Sequence, residues 1–213
     1  MDATAFPSFT PREHAADRAV HALGIAAAAV AVPLLVAIAA SRGALTFSGV
    51  LAYGLAAVAM LVASALYNIA PPSRTKEILR RIDHAVIFVM IAGTCTPFVL
   101  CRLGGAWGMG LLAYVWLVAL GGVVLKLGFP RRFERVSIVL CLALGWSMVP
   151  MLAALSTTAL VLVGIGGLLY SVGVVFHVWR RLRYHNAIWH GLVLAAAACH
   201  YAAIMIDVAL DRA

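Results

Sequence analysis

The sequence has few charged residues, since Asp, Glu, Lys and Arg make up 11% of its 213 residues. Soluble domains carry about a quarter. Hydrophobic residues make up 64%, and the mean hydropathy is +1.02. A folded chain of this composition cannot cover itself with a polar surface. The composition therefore excludes a water-soluble domain and predicts an integral membrane protein.

Lysine is scarcer still, with only Lys76 and Lys126, each at the edge of an apolar run. A retinal Schiff base requires a lysine deep within a helix, so a retinal-binding protein is excluded. The four cysteines show no CxxC spacing, which argues against a thiolate metal site or a disulfide framework. The N-terminus lacks the basic-then-apolar order of a secretory signal, so we expect the first spanning helix to direct insertion.

Seven apolar runs divide the chain. A spanning helix needs about 20 apolar residues, and the runs lie at 19–41, 45–69, 83–103, 106–126, 136–155, 157–179 and 187–209. The segment Thr10-Pro11-Arg12-Glu13 has the form of a capping box with proline at the first helical position. A helix should therefore start there and enter the membrane near Val20. The predicted fold class is all-α, with seven transmembrane helices in one domain over residues 1–213.

The positive charges alternate from loop to loop. Thirteen Lys and Arg residues fall on one side, and three fall on the other: Arg42, Arg102 and Arg212. Four of the thirteen are expected in the loop after the second run: Arg74, Lys76, Arg80 and Arg81. The positive-inside rule then places the N-terminal segment 1–18 in the cytoplasm and the C-terminus on the opposite side. Cytoplasmic loops facing anionic lipid account for the net charge of +8, so we expect no nucleic-acid partner.

This topology brings polar residues together at one depth. Ser64 and Asn68 are four residues apart and share a helix face, as do Asn186 and His190, while Asp83 starts the third run. Polar residues inside a membrane normally face the bundle interior and mark function. These five residues predict a pocket on the cytoplasmic side. Six of the seven histidines should also lie toward that side, and only His200 lies deep in a run.

Four segments carry a family resemblance: SALYNI (64–69), RRIDHAVIFVMIAGTCTPF (80–98), GGLLYSVGVVFH (166–177) and NAIWHGLVLAAAACH (186–200). On these segments the chain resembles the hemolysin III family, the bacterial branch of the progestin and adipoQ receptor superfamily, over nearly its whole length. The resemblance implies a seven-helix bundle in the bacterial cytoplasmic (inner) membrane with a cytoplasmic N-terminus. It also implies similarity to alkaline ceramidases and a zinc ion near the cytoplasmic side.

The resemblance further implies roles for single residues. The family pattern is Ser-x-x-x-His on helix two, Asp at the start of helix three, and His-x-x-x-His on helix seven. Ser64 and Asp83 match the serine and the aspartate, and are the catalytic candidates that the resemblance implies. The metal positions correspond to Asn68, Asn186 and His190, so only His190 keeps an imidazole.

The asparagines at two of the three metal positions weaken the expectation of a bound zinc ion. With one imidazole at the three positions, we expect little zinc unless His185 or His84 is recruited, because catalytic zinc normally has three protein ligands. The family's N-terminal pattern of glutamate, asparagine and histidine corresponds here to Glu13, Asp17 and His21.

Three functions remain open. The first is membrane homeostasis or lipid sensing, with membrane lipids as partners and a pocket that has lost its zinc. The second is a zinc-dependent hydrolase of ceramide-like amides, in which Asp83 acts as base and Ser64 stabilises the oxyanion. The third is pore formation by an oligomer, since a bundle this apolar is a poor monomeric channel. The ligand losses favour the first.

Overall fold

The computed structural model describes Phe6, residues 9–129 and residues 131–210, which form helices joined by short turns and contain no strand. The seven long helices are α1 Pro11–Ala40, α2 Ala44–Ile69, α3 Arg74–Phe98, α4 Gly105–Gly128, α5 Glu134–Trp146, α6 Thr157–Val178 and α7 His185–Ile204. Short π or 3₁₀ helices extend three of them: Val99–Leu103 after α3, Val149–Ala154 after α5 and Met205–Ala209 after α7.

With these extensions, seven helices are long and apolar enough to cross a membrane. The predicted all-α fold class with seven spanning helices is confirmed. Much of the expected N-terminal segment 1–18 belongs to α1 instead of forming a separate piece. Its first residues, together with Arg212, lie outside the part of the chain that the structure describes. Which side of the membrane is cytoplasmic stays a prediction.

The capping box at the start of α1 has formed. The Thr10 hydroxyl accepts a hydrogen bond from the Glu13 backbone N–H at 3.3 Å, and the Glu13 carboxylate accepts one from the Thr10 N–H at 2.8 Å. Pro11 occupies the first helical turn, where its missing N–H costs nothing. The cap therefore fixes the register of α1, and with it the face on which its few polar residues lie.

Helix α3 starts at Arg74, nine residues before the apolar run from which its start was predicted. The four cations expected in a loop therefore lie in the first turns of α3, and the connection from α2 is only residues 70–73. Ser73 caps the helix by accepting from the Lys76 N–H at 3.1 Å. Arg80 pairs with Glu77 at 2.8 Å and with Glu134 of α5 at 2.7 Å. These ion pairs let charged turns remain helical beyond the apolar run.

The bundle buries an apolar core and exposes further apolar side chains on its outer surface. Helix α1 packs on α2 and α7, α3 packs on α2 and α4, and α6 packs on α7. Leu35 and Phe88 are fully buried, whereas Val30 and Leu117 are 70% and 69% exposed, as lipid-facing side chains are. At Gly122 of α4 a Cβ atom would lie 2.4 Å from the Phe88 ring, so glycine permits this close helix contact.

An ion pair closes the end of the bundle opposite the start of α1. The guanidinium of Arg102 lies 3.1 Å from the Asp207 carboxylate, and it also donates to the Asp207 carbonyl. The same carboxylate accepts from the Ser156 backbone N–H at 3.1 Å. Asp207 is 2% exposed. One buried carboxylate therefore joins the ends of α3 and α7 to the start of α6.

Candidate functional site

A cavity of about 640 Å³ lies at the end of the bundle where α1 starts, which we call the N-terminal end. Side chains from all helices contribute, including the last turn of α4 and the first turns of α5. All five residues of the predicted pocket line it: Ser64, Asn68, Asp83, Asn186 and His190. The structure thus brings together the residues that the sequence placed at one depth. Their chemical roles stay predictions.

The two asparagines at the family's metal positions bind each other. The Asn186 side-chain amide donates to the Asn68 side-chain oxygen at 3.2 Å, and the Asn68 amide donates to the Ser64 carbonyl at 2.9 Å. One amide oxygen is therefore occupied by a hydrogen bond, and neutral amides are weak zinc ligands in any case. The set Asn68, Asn186 and His190 does not fit a zinc ion.

His190 turns instead toward helix α1. Its Nδ1 lies 2.6 Å from the Asp17 carboxylate, and its ring centroid lies 4.5 Å from that of His21. One possible ligand atom from each of the three side chains can be chosen so that all lie within 4.8 Å of one another. Asp17 and His21 are 5% and 8% exposed. This Asp17–His21–His190 group is a cluster of the kind that could hold a metal ion.

Sequence reasoning did not place Asp17 and His21 in this pocket. It recognised them only as part of an N-terminal pattern. The available signal was their spacing, because residues four apart in a helix share a face. The capping box, which was recognised, fixes where that helix begins. The sequence does not indicate that this face of α1 packs against α7.

A chain of polar side chains crosses four helices in the middle layer of the cavity, between its rim and its apolar inner part. The Ser64 hydroxyl lies 3.2 Å from His21 Nε2 and beside Asp83, which is 8% exposed and lines the same cavity. On the other side of the imidazole, His21 Nδ1 lies 2.8 Å from the Asp17 carbonyl oxygen. The order is therefore Asp83, Ser64, His21, Asp17 and His190. This chain joins both catalytic candidates to the Asp17–His21–His190 cluster.

The two histidines considered as replacement zinc ligands, His84 and His185, line the same cavity but make other contacts. His84 approaches the Glu134 carboxylate at 3.5 Å, and the His185 ring packs on Phe9 with centroids 5.6 Å apart. Neither belongs to the Asp17–His21–His190 cluster. His200 lies deeper in α7, 3.4 Å from the Val163 carbonyl oxygen, as expected from its position in the run.

Glu13 holds the starts of α1 and α7 together. Its carboxylate accepts a hydrogen bond from the Tyr184 backbone N–H at 3.0 Å while also completing the cap of α1. Tyr184 has a φ of 60°, the left-handed conformation, immediately before α7 begins. The first residue of the N-terminal pattern therefore acts in positioning, because it sets the register in which Asp17 faces His190.

Basic side chains surround the cavity near α4, α5 and the end of α6. They are Lys126, Arg131, Arg135 and Arg180. Glu134 and Glu77 partly balance them, at 2.9 Å from Lys126 and 2.7 Å from Arg131 respectively. Cations outnumber these two carboxylates at the rim, so the potential there favours an anionic group.

Fold and site together define a multi-pass integral membrane protein with seven spanning helices and a polar pocket at one end. Residues 12–201 match the family described as "Haemolysin-III related". The chain belongs to this family.

Curated relatives agree with this assignment. The chain is 37% identical over 202 residues to "Hemolysin-3 homolog" of Bacillus subtilis (strain 168), covering 92% of this chain and 95% of that protein. It is 33% identical over 205 residues to "Hemolysin-3" of Bacillus cereus, covering 92% of each. Human "Monocyte to macrophage differentiation factor" is 30% identical over 161 residues, 71% of this chain and 67% of that protein. The predicted family and superfamily are confirmed.

Proposed function

We propose that this protein binds a membrane lipid in the cavity at the N-terminal end and serves membrane homeostasis as a lipid sensor of the bacterial cytoplasmic membrane. One observation carries the proposal: a single cavity combines an apolar inner part, a polar middle layer and a basic rim. A phospholipid has the same three parts in its acyl chain, its linkage region and its phosphate. The volume of about 640 Å³ lies in the usual range for small-molecule sites.

The apolar inner part comes from helices that also form the bundle core. Met60 and Leu61 of α2 face the cavity, as do Val193 and Leu194 of α7. Acyl chains gain little from leaving a bilayer for another apolar surface, so this inner part confers shape selectivity more than affinity. Affinity then comes from the rim, where basic side chains attract an anionic headgroup at about 1 kcal/mol for each Lys or Arg.

Lipid retention tests the proposal. We expect native mass spectrometry of the protein in mild detergent to show about one bound anionic phospholipid per chain. Val193→Phe fills part of the cavity and should lower that occupancy severalfold. Val175→Phe is the matched control, since Val175 is 57% exposed on the outer face of α6. Wild-type protein without bound lipid, or the same lipid occupancy in Val193→Phe as in wild type, would count against a lipid site.

Hydrolysis of an amide-linked lipid is a second candidate, favoured by one contact. The Ser64 hydroxyl lies between the His21 imidazole and the Asp83 carboxylate, groups that move protons in acyl-transfer enzymes. Fatty-acid release from ceramide by wild type but not by Ser64→Ala would support this activity. Equal release by the two proteins, or none by either, would remove it.

Pore formation is a third candidate function, suggested by the names of the Bacillus relatives. In the described residues, the polar clusters around His190 and Asp207 lie at opposite ends of the bundle. Between them the core is mainly apolar, with Val50 and Phe88 fully buried. A single chain therefore offers no continuous polar path. Conductance of planar bilayers containing the purified protein would be needed to support a pore made by an oligomer.

A further inference from the structure

We infer that Asp17, His21 and His190 form a binding site for a divalent transition-metal ion of the zinc class, displaced from Asn68 and Asn186. The ligands of this site come from α1 and α7, whereas the family's metal positions lie on α2 and α7. This inference goes beyond lipid binding and does not depend on it. It also revises the expectation of little zinc, which counted ligands only at the family positions.

The geometry needs only small side-chain movements. Ligand atoms on a tetrahedral zinc ion lie about 3.3 Å from one another, given metal–ligand distances of about 2.0–2.1 Å. The three donors already lie within 4.8 Å of one another. Asp17 and His21 are four residues apart on a capped helix, the spacing by which helical metal motifs present two ligands from one face.

The donor chemistry also fits. Two imidazoles and one carboxylate are the ligand set of catalytic zinc sites that keep an open position for water or substrate. The same set with open positions binds Fe²⁺ in some oxygenases, so the class is a divalent transition metal. No ligand here is a neutral amide, in contrast to the pair at Asn68 and Asn186.

The surroundings already orient one ligand. His21 Nδ1 lies 2.8 Å from the Asp17 carbonyl oxygen, so it carries the proton and donates this hydrogen bond. Nε2 then accepts a hydrogen bond from the Ser64 hydroxyl at 3.2 Å, and a metal ion bound to Nε2 would displace that hydroxyl. Metal-binding histidines commonly have their second ring nitrogen fixed in this way, which sets both tautomer and orientation.

Charge gives an independent reason for a cation. Asp17 and Asp83 are 5% and 8% exposed, and both belong to the polar group around His21 and Ser64. Burying the charge of a carboxylate away from water is costly unless a cation or hydrogen bonds compensate it. Of the basic groups at the rim, Lys126 and Arg131 pair with Glu134 and Glu77, not with Asp17. A divalent ion bound to Asp17 would compensate the charge of that buried carboxylate.

Metal content tests the inference. Full-length protein with a tag free of histidine is stripped with EDTA, reloaded with zinc sulfate in detergent and measured by mass spectrometry. We expect about one zinc per chain in wild type and a loss of affinity of about tenfold or more in Asp17→Asn and His190→Gln. His200→Gln changes another histidine of α7, outside the cluster, and should keep wild-type zinc.

A folding readout guards against loss of metal through loss of structure. Zinc should raise the thermal unfolding midpoint of wild type and His200→Gln, because a ligand that binds only the folded state stabilises it. EDTA should reverse that rise, and Asp17→Asn should show none. Less than about 0.1 zinc per chain in reloaded wild type, or equal zinc affinity in wild type, Asp17→Asn and His190→Gln, would overturn the inference.

Discussion

The side-chain amide of Asn186 donates a hydrogen bond to the side-chain oxygen of Asn68 at 3.2 Å, joining α7 to α2. The resemblance places two metal-binding imidazoles at these positions. A direct hydrogen bond thus links the two helices where a shared ion would otherwise do so. The pair also explains why His190 can contact Asp17. Asn68 and Asn186, at the family's metal positions, hydrogen-bond each other and leave His190 to bind another partner.

This amide pair should show measurable coupling. Asn68→Ala and Asn186→Ala each remove the bond, so the double variant should be less destabilised than the sum of the single variants. Interhelical hydrogen bonds in membrane proteins average about 0.6 kcal/mol in such cycles. Unfolding free energies of all four proteins in bicelles provide the measurement, and additive effects would show that the contact contributes nothing.

Placing two imidazoles back on α2 and α7 should move the metal. We expect Asn68→His with Asn186→His to bind zinc more tightly than wild type, because His190 would then complete a three-imidazole set. Adding Asp17→Asn to this double variant should leave the metal bound, whereas Asp17→Asn alone should lose it. Zinc affinities from chelator competition separate the cases. Unchanged affinity in the double variant would contradict a pocket that retains the family architecture.

Adjacent glycines in α4 should differ sharply when replaced by alanine. A Cβ at Gly122 would lie 2.4 Å from the buried Phe88 ring, while at Gly121 no atom lies within 4 Å. We expect Gly122→Ala to lower the free energy of unfolding by about 1–3 kcal/mol, the usual cost of overpacking. Gly121→Ala should be neutral or slightly stabilising, since alanine favours the helix. Equal unfolding free energies would mean that α3 and α4 are farther apart than described.

The ion pair at the other end of the bundle should matter for stability. Arg102→Met would leave the Asp207 carboxylate, 2% exposed, without its guanidinium. Removing one partner of a buried pair typically costs about 3–5 kcal/mol. Arg42→Met is the matched control, since Arg42 lies in the turn after α1 on the same predicted side. Thermal unfolding of both variants checks this, and similar midpoints would contradict a structural role for the pair.

The helices themselves were largely predictable, because apolar runs of about 20 residues leave few alternatives in a chain this hydrophobic. The exceptions have physical reasons. Helix α3 extends back to Arg74 because Glu77 pairs with Arg80 and Arg81 on the helix surface, at 2.8 and 3.5 Å, which hydropathy does not register. Helix α5 ends at Trp146 and continues as a 3₁₀ helix, a change of winding within one apolar run.

The candidate site was predictable only where sequence spacing fixes depth. Ser64 and Asn68 share a helix face with a known end, and alternating topology places them beside Asn186. Asp17 and His21 could not be assigned in this way. Their partner His190 lies on the last helix, and sequence order does not say that the first and last helices are neighbours. That contact follows from closure of the bundle, where α1 packs on α7.

The position of the metal tests the central claim most directly. The measurement is an anomalous difference map, recorded at the zinc absorption edge from crystals of the zinc-loaded protein. We expect one peak bonded to Asp17, His21 and His190, at about 2.0–2.2 Å from each ligand atom. A peak bonded to Asn68 and Asn186, or no peak within bonding distance of Asp17, would contradict the account.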